Sequence, residues 1–326
     1  MSSECCHLNR NVSLDILKFL LALFVVGLHA GFLNDLTTLG SYLTVNGIFR
    51  VVIPIFLLIN GFYFYPVILK RMSRDWLKRL LYLYVFWMLF YSYFWIRPSG
   101  SSTFISLAKI SITIVFGYYH LWYFPGVIGA AIIMILLKNQ RSMVIILAVL
   151  TSYLVGLIIQ YIGNYHILEN QSADRLVNCF WFYRNFLFFA FPFVAIGFYI
   201  NKYGVHKKIS FRWLMLSVIV GILALMSESY LNYISPFREG GFSMYLSLLM
   251  ICPALFLLFL NLNIVGRSKK IALYSTGIYL IHPLFLIIFN KMTQLKETPI
   301  TFVVIALSII VSFILIKVNE RLRFIL

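Results

Sequence analysis

The chain alternates long apolar runs with short hydrophilic breaks. With about 20 consecutive apolar residues taken as the length that crosses a bilayer, the runs predict helices at 13–33, 46–68, 78–96, 120–137, 143–162, 182–201, 211–228, 242–261, 271–290 and 299–318. One more apolar stretch, 103–118, contains Lys109. It reads as a re-entrant or interfacial helix, because another crossing there would break the charge alternation of the breaks that follow. The pattern predicts an all-α polytopic membrane bundle of about ten transmembrane helices. Nothing repeats convincingly and no linker is long enough to divide the chain, so residues 1–326 read as a single membrane domain with short tails at 1–12 and 319–326.

Composition supports the membrane reading: 62% of the residues are hydrophobic, 11% are charged, and the mean hydropathy of +0.92 lies outside the range of a soluble globular domain. In a soluble protein the net charge of +17 would suggest nucleic acid. Here the basic residues sit in breaks between apolar runs, so anchoring and orientation explain them and no nucleic-acid partner is expected. The breaks after even-numbered helices and the two tails hold eighteen Lys and Arg, against seven on the opposite side, which puts both termini in the cytoplasm of a multi-pass cell-membrane protein. Met1–Asn9 is polar and the first apolar run is long enough to span, so no cleavable signal peptide is expected. Of Cys5, Cys6, Cys179 and Cys252, only Cys179 falls in an outward loop, which leaves no disulfide framework. Cys5-Cys6-His7 lacks a second ligand pair, and no metal is expected.

The candidate chemistry lies in polar residues within or at the ends of apolar runs. Lys18 and His29 are eleven positions apart in the first helix. At about 100° per residue they share a face, roughly 16 Å apart along the axis, with Asp15 on the same side. Charges inside membrane helices are costly and usually face a protein interior where they mark a pathway or a reaction site. Arg50 begins the second helix, with Pro54 and Gly61 on its face. His120, Arg184 and Glu228 fall at the outer ends of helices 4, 6 and 7, and His282 lies nearer the middle of helix 9. The set His29, Arg50, His120, Arg184 and Glu228 thus converges on the outer half of the membrane, with Lys18 below. Bland readings stand beside this one: snorkelling for Lys18, Arg184 and Glu228, and an aromatic interfacial belt for His120 beside Trp122 and Tyr123. Pro54 and Pro283 are expected to kink their helices and free backbone carbonyls near these groups.

Arg10-(four residues)-Asp15-(two)-Lys18-(ten)-His29, followed by Arg50-Val-Val-Ile-Pro54-Ile-Phe56-(three)-Asn60-Gly61-Phe62, resembles the opening of the acyltransferase 3 family. Later stretches match its landmarks in order: His120-Leu-Trp122-Tyr123, Phe189 to Tyr199, and Tyr274-Ser-Thr-Gly277-Ile-Tyr279-Leu-Ile-His282-Pro283. Asn60 stands where the family commonly has Ser before Gly; an amide can still donate to a carbonyl or an oxyanion. No appended soluble esterase-like domain is seen, so the chemistry is expected to be completed within the membrane domain.

The resemblance implies transfer of an acyl group, most often acetyl from cytoplasmic acetyl-CoA, to a hydroxyl of a cell-surface glycan or its lipid-linked precursor. It implies no tightly bound cofactor; acyl-CoA is the donor substrate, and membrane lipids surround the chain. Lys18 with Arg71, Arg74 and Lys78 would meet the CoA phosphates. His29 would act as general base or as transient acyl carrier, with Arg50, Asn60 or His120 stabilising the oxyanion and Glu228 completing the catalytic set. Tyr165, His166, Trp181, Tyr230 and Tyr233, in or near outward loops, offer surface that can stack on sugar rings. A secondary transporter, or a non-catalytic membrane partner of glycan assembly, is the alternative.

Overall fold

The computed structural model describes residues 10–96, 103–237, 240–266 and 268–326. Cys5, Cys6 and His7 lie outside the described residues, as do Arg97, Arg238 and Arg267 of the charge count. The described residues are mostly helical. The helices are α1 (Ser13–Ala30), α2 (Thr38–Val45), α3 (Val52–Leu69), α4 (Ser73–Phe90), α5 (Ser92–Trp95), α6 (Thr103–Phe116), α7 (Tyr123–Leu137) and α8 (Ser142–Asn164). They continue with α9 (Gln171–Val177), α10 (Phe180–Tyr183), α11 (Phe191–Lys202), α12 (Phe211–Ile234), α13 (Leu248–Leu262), α14 (Lys270–Met292) and α15 (Glu297–Leu322). A two-residue antiparallel pairing of β1 (Arg10–Asn11) with β2 (Val265–Gly266) ties the start of α1 to the turn between α13 and α14.

Among the described residues, seven helical stretches are long and apolar enough to cross a membrane: Ser13–Ala30, Thr38–Leu69 (α2, a 3-10 turn and α3), Tyr119–Leu137 (a 3-10 turn and α7), Ser142–Asn164, Phe211–Ile234, Lys270–Met292 and Glu297–Leu322. The remaining three expected spans are helical but less complete. The 18-residue α4 carries Arg74, Asp75, Lys78 and Arg79 in its first half. Phe186–Lys202 and Leu248–Leu262 are apolar but short. The expected span at 242–261 is corrected at its start, because 240–247 is irregular and the helix begins at Leu248. The ambiguous stretch is the 14-residue α6, which at 1.5 Å per residue reaches about 21 Å, short of a bilayer core. Within residues 319–326, α15 continues to Leu322, and Ile325 and Leu326 are buried, with the Trp87 indole N–H donating to the Ile325 carbonyl at 3.0 Å.

Burial separates the bundle into centre and periphery. Of the 18-residue apolar stretch of each, half is buried in α1 and α14 and 56% in Thr38–Leu69, against 28% in α8 and α12. The outward faces of the peripheral helices are apolar, as with Ile146, Leu150, Leu154 and Ile158 on α8 and Ile219 and Leu223 on α12. Such faces suit contact with lipid tails. Two glycines let α3 and α11 touch backbone to backbone: a Cβ on Gly61 would lie 2.0 Å from the Val194 carbonyl oxygen, and one on Gly197 would lie 2.0 Å from that of Leu58. Close approach through small residues is how membrane helices gain packing energy without a hydrophobic drive between them. Where α1 and α15 meet, the Asp35 carboxylate accepts from the Thr298 hydroxyl and from the Thr298 N–H at 3.1 Å. These hydrogen bonds hold its carboxyl below the usual carboxylate range.

Candidate active site

The site is assembled where helices are interrupted. Arg50 sits in a 3-10 turn, Ile48–Val51, between α2 and α3; His120 sits in another, Tyr119–Trp122, ahead of α7. Arg184 is the C-cap of α10, one residue ahead of Asn185, which caps a π-helical turn, Phe186–Ala190, that leads into α11. Such turns leave backbone groups without their regular partners, and in a membrane protein they persist where they are buried in protein or line a cavity. Pro54 falls in the first turn of α3, where the missing N–H would have no helical partner. The expected kink at Pro54 is therefore replaced by the upstream 3-10 break at Arg50. Pro283 lies inside α14, which runs continuously from Lys270 to Met292, and carbonyls about one turn before it find side-chain partners. The Ile278 carbonyl meets His282 Nδ1 at 3.1 Å, and the Leu280 carbonyl accepts from the Tyr91 hydroxyl at 2.8 Å.

Three imidazoles meet beside Pro283. The rings of His29 and His282 stack with centroids 5.4 Å apart, and His120 lies edge-on to His282 at 5.5 Å. His120 and His282 are fully buried, while His29 is half-buried and faces a cavity. A carbonyl only accepts, so His282 Nδ1 must carry its proton, and in the neutral ring Nε2 holds the lone pair. Among the described residues, neither that nitrogen nor either ring nitrogen of His120 makes a hydrogen bond.

The cavity in front of His29 has a volume of about 470 Å³ and is also lined by Arg50, Tyr119, Trp122, Arg184 and Ser243. Arg50 donates to the Asn46 side-chain oxygen at 2.5 Å and to Ser243 Oγ at 3.3 Å. Arg184 reaches the same Ser243 oxygen at 3.3 Å, with its guanidinium 4.7 Å from the Trp122 ring and 4.9 Å from that of Phe180. Ile112, Thr113, Phe116 and Gly117, from α6 and the turn after it, close another side. A second cavity, of about 240 Å³, lies toward the other end of α1 and is lined by Lys18, Asn60, Tyr63, Tyr123, Ser275 and Tyr279 among others. Lys18 is 3.9 Å from Asp15. Between this cavity and the histidines stand the rings of Phe56, Tyr123 and Tyr279, 5.7 to 6.3 Å apart. The Tyr279 ring is 5.4 Å from His120, and its hydroxyl donates to the His120 carbonyl at 2.5 Å.

Of the residues singled out in the sequence, His29 and Arg50 line one cavity, with His120 buried behind His29. Asn60 is not beside them: it lines the Lys18 cavity, where its amide donates to the Phe56 carbonyl at 2.9 Å and to the Tyr123 hydroxyl at 2.5 Å. Arg71, Arg74 and Lys78 are exposed around the α3–α4 turn and line neither cavity. Glu228 is elsewhere too. Its carboxylate accepts from the Leu246 and Ser247 N–H groups at 2.8 and 3.0 Å and from the Ser247 hydroxyl at 2.7 Å. Gln160 holds the same irregular segment, accepting from the Ser243 and Met244 N–H groups at 2.8 and 2.9 Å. A buried segment without regular structure needs such side-chain partners for its backbone, and here they place Ser243 under the two arginines. Glu228→Ala is therefore expected to act on stability, by about 1–3 kcal/mol, read as an earlier thermal transition of purified protein. His282 and Tyr279 complete the cluster. Their sequence signal was a histidine–proline pair inside an apolar run, and spacing alone could not show that α14 packs it against His29.

Residues 11–317 match the family described as an acyltransferase domain, the acyltransferase 3 family. Among curated proteins the chain is similar to an amino-acid racemase of Enterococcus faecalis, at 27% identity over 97% of this chain and 47% of that protein. It is also similar to a serine/alanine racemase of Enterococcus gallinarum, at 25% identity over 96% of this chain and 46% of that protein. The chain thus spans about half the length of these relatives. No solved structure matches it significantly. A family match over nearly the whole membrane domain, joined to the histidine and arginine arrangement above, leads to one identification: the chain belongs to the acyltransferase 3 family.

Proposed function

We propose that the protein is a membrane O-acyltransferase that moves an acyl group, acetyl by preference, from cytoplasmic acyl-CoA to a hydroxyl of a cell-surface glycan or its lipid-linked precursor. The observation that carries this reading is the pair of cavities on either side of the histidines, one holding Lys18 and the other His29 and the arginines. The charge bias orients the bundle with ten crossings and both termini inside, so that the Lys18 cavity opens toward the cytoplasm, where CoA is found. Lys18 and the exposed basic turn at Arg71, Arg74 and Lys78 then lie on the donor side, suited to phosphate. The pantetheine arm would enter past the Phe56, Tyr123 and Tyr279 rings toward His29.

In the proposed step a nitrogen of His29 takes the proton of the acceptor hydroxyl as its oxygen attacks the thioester carbon. The carbonyl oxygen becomes an oxyanion beside the arginines. The C–S bond then breaks, the sulfur takes the proton from the imidazolium, and the products are an ester and free CoA thiol. The racemase names of the relatives belong to proteins about half of which this chain matches, so acyl transfer is proposed for the shared half.

A transporter would also place cavities at both ends of a polar centre. Release of CoA thiol from acetyl-CoA by purified protein separates the two readings, since transport alone leaves the thioester intact. Lys18→Ala is expected to raise the KM for acyl-CoA by roughly ten-fold, the loss of one charge-assisted contact, with little change in the KM for the acceptor. Equal effects on both substrates would argue against a donor-side role.

A further inference from the structure

The cavity at His29 carries more positive charge than one oxyanion in a transition state requires. Two guanidinium groups converge on the single neutral hydroxyl of Ser243, each at 3.3 Å. Among the described residues no Asp or Glu lines this cavity, and the Glu228 carboxylate, outside it, is engaged with the 246–247 backbone. Among the described residues, the buried Nε of Arg50 has no hydrogen-bond partner. Arg184 is held between the Trp122 and Phe180 rings, which fixes the plane of its fork and leaves an edge for a bidentate partner. Two like charges gathered without a counter-charge in a half-buried site are costly unless a ligand brings the missing negative charge.

We propose that Arg50 and Arg184 form an oxyanion subsite for the acceptor, which carries a carboxylate or a phosphate close to the hydroxyl that is acylated. This rests on the acyl-transfer reading of the same cavity. A volume of about 470 Å³ holds a group of sugar size. With His29 and the arginines lining one cavity of this size, the anionic group and the reacting hydroxyl belong to the same or adjoining units. A sugar acid supplies the carboxylate; a sugar phosphate, including the headgroup of a lipid-linked glycan, supplies the phosphate. Either would make the charge-assisted forks that a neutral sugar cannot.

Titration calorimetry of the purified full chain, without acyl-CoA, tests the subsite with three probes: glucuronate, glucose 1-phosphate and glucose. At least one charged sugar should bind on the order of ten-fold more tightly than glucose, and the tighter of the two identifies the group as carboxylate or phosphate. Arg184→Gln and Arg50→Gln should abolish that preference, while Arg184→Lys, which keeps charge but loses the fork, should retain part of it. No preference for either charged sugar in the wild type overturns the proposal, whether or not the variants fold, as does a preference that survives both Gln variants. CoA release is measured separately. Charge selectivity with no CoA release leaves the subsite standing and removes acyl transfer; CoA release without charge selectivity does the reverse.

Discussion

Replacing His29 by alanine is expected to lower acyl transfer by on the order of 10²- to 10⁴-fold, the span of a lost general base, while the protein still reaches the membrane in normal amount. His29 is the half-buried member of the three-histidine cluster, at the cavity wall and in reach of a ligand. It makes ring contacts to Tyr119 at 4.7 Å and to His282 at 5.4 Å, and among the described residues no hydrogen bond ties it to another element. Its loss should therefore touch chemistry before stability. Acylation of surface glycan and membrane abundance, measured on the same cells, check both halves. Wild-type acylation by an abundant mutant would remove His29 from the mechanism.

The largest structural effect is expected at the α3–α11 crossing. Gly197→Val or Gly61→Val forces side-chain carbon into a space where even a Cβ would lie 2.0 Å from a backbone oxygen of the facing helix. That atom belongs to a rigid helix and cannot step aside, so the two helices must part. The expected cost is about 3 kcal/mol or more, a large fraction of the total stability of most proteins. α3 carries Asn60 and follows the turn that holds Arg50, and α11 follows the π turn after Arg184. Separating them should lower membrane abundance and remove activity together. Normal abundance and an unchanged thermal transition for Gly197→Val would contradict the packing described.

Much of this was legible in the sequence, in a way that follows from physics. Long apolar runs located helices at all ten expected positions, because a chain in lipid must satisfy its backbone locally. The eleven-residue interval placed Lys18 and His29 on one face of α1, and the structure puts them in separate cavities along it. What sequence periodicity could not reveal were the breaks. The 240–247 segment is as apolar as a helix start, yet it is irregular because Gln160 and Glu228, distant in sequence, supply its backbone partners. Glu228 looked like a site residue for the same reason that it is a structural one: a carboxylate in an apolar setting needs partners, and backbone N–H groups serve as well as substrate. Asn60 and His29 face different cavities because the rings of Phe56, Tyr123 and Tyr279 intervene, an arrangement of three helices that no single helical period encodes.

The central claim, acyl transfer from a donor at the Lys18 side to an acceptor at the His29 side, is tested most directly with sealed membrane vesicles of either orientation supplied with labelled acetyl-CoA, which does not cross the bilayer. The account predicts label in the glycan fraction of inside-out vesicles, none in right-side-out vesicles, and loss of the signal with His29→Ala. Equal labelling from both faces, or labelling that survives His29→Ala, would contradict it.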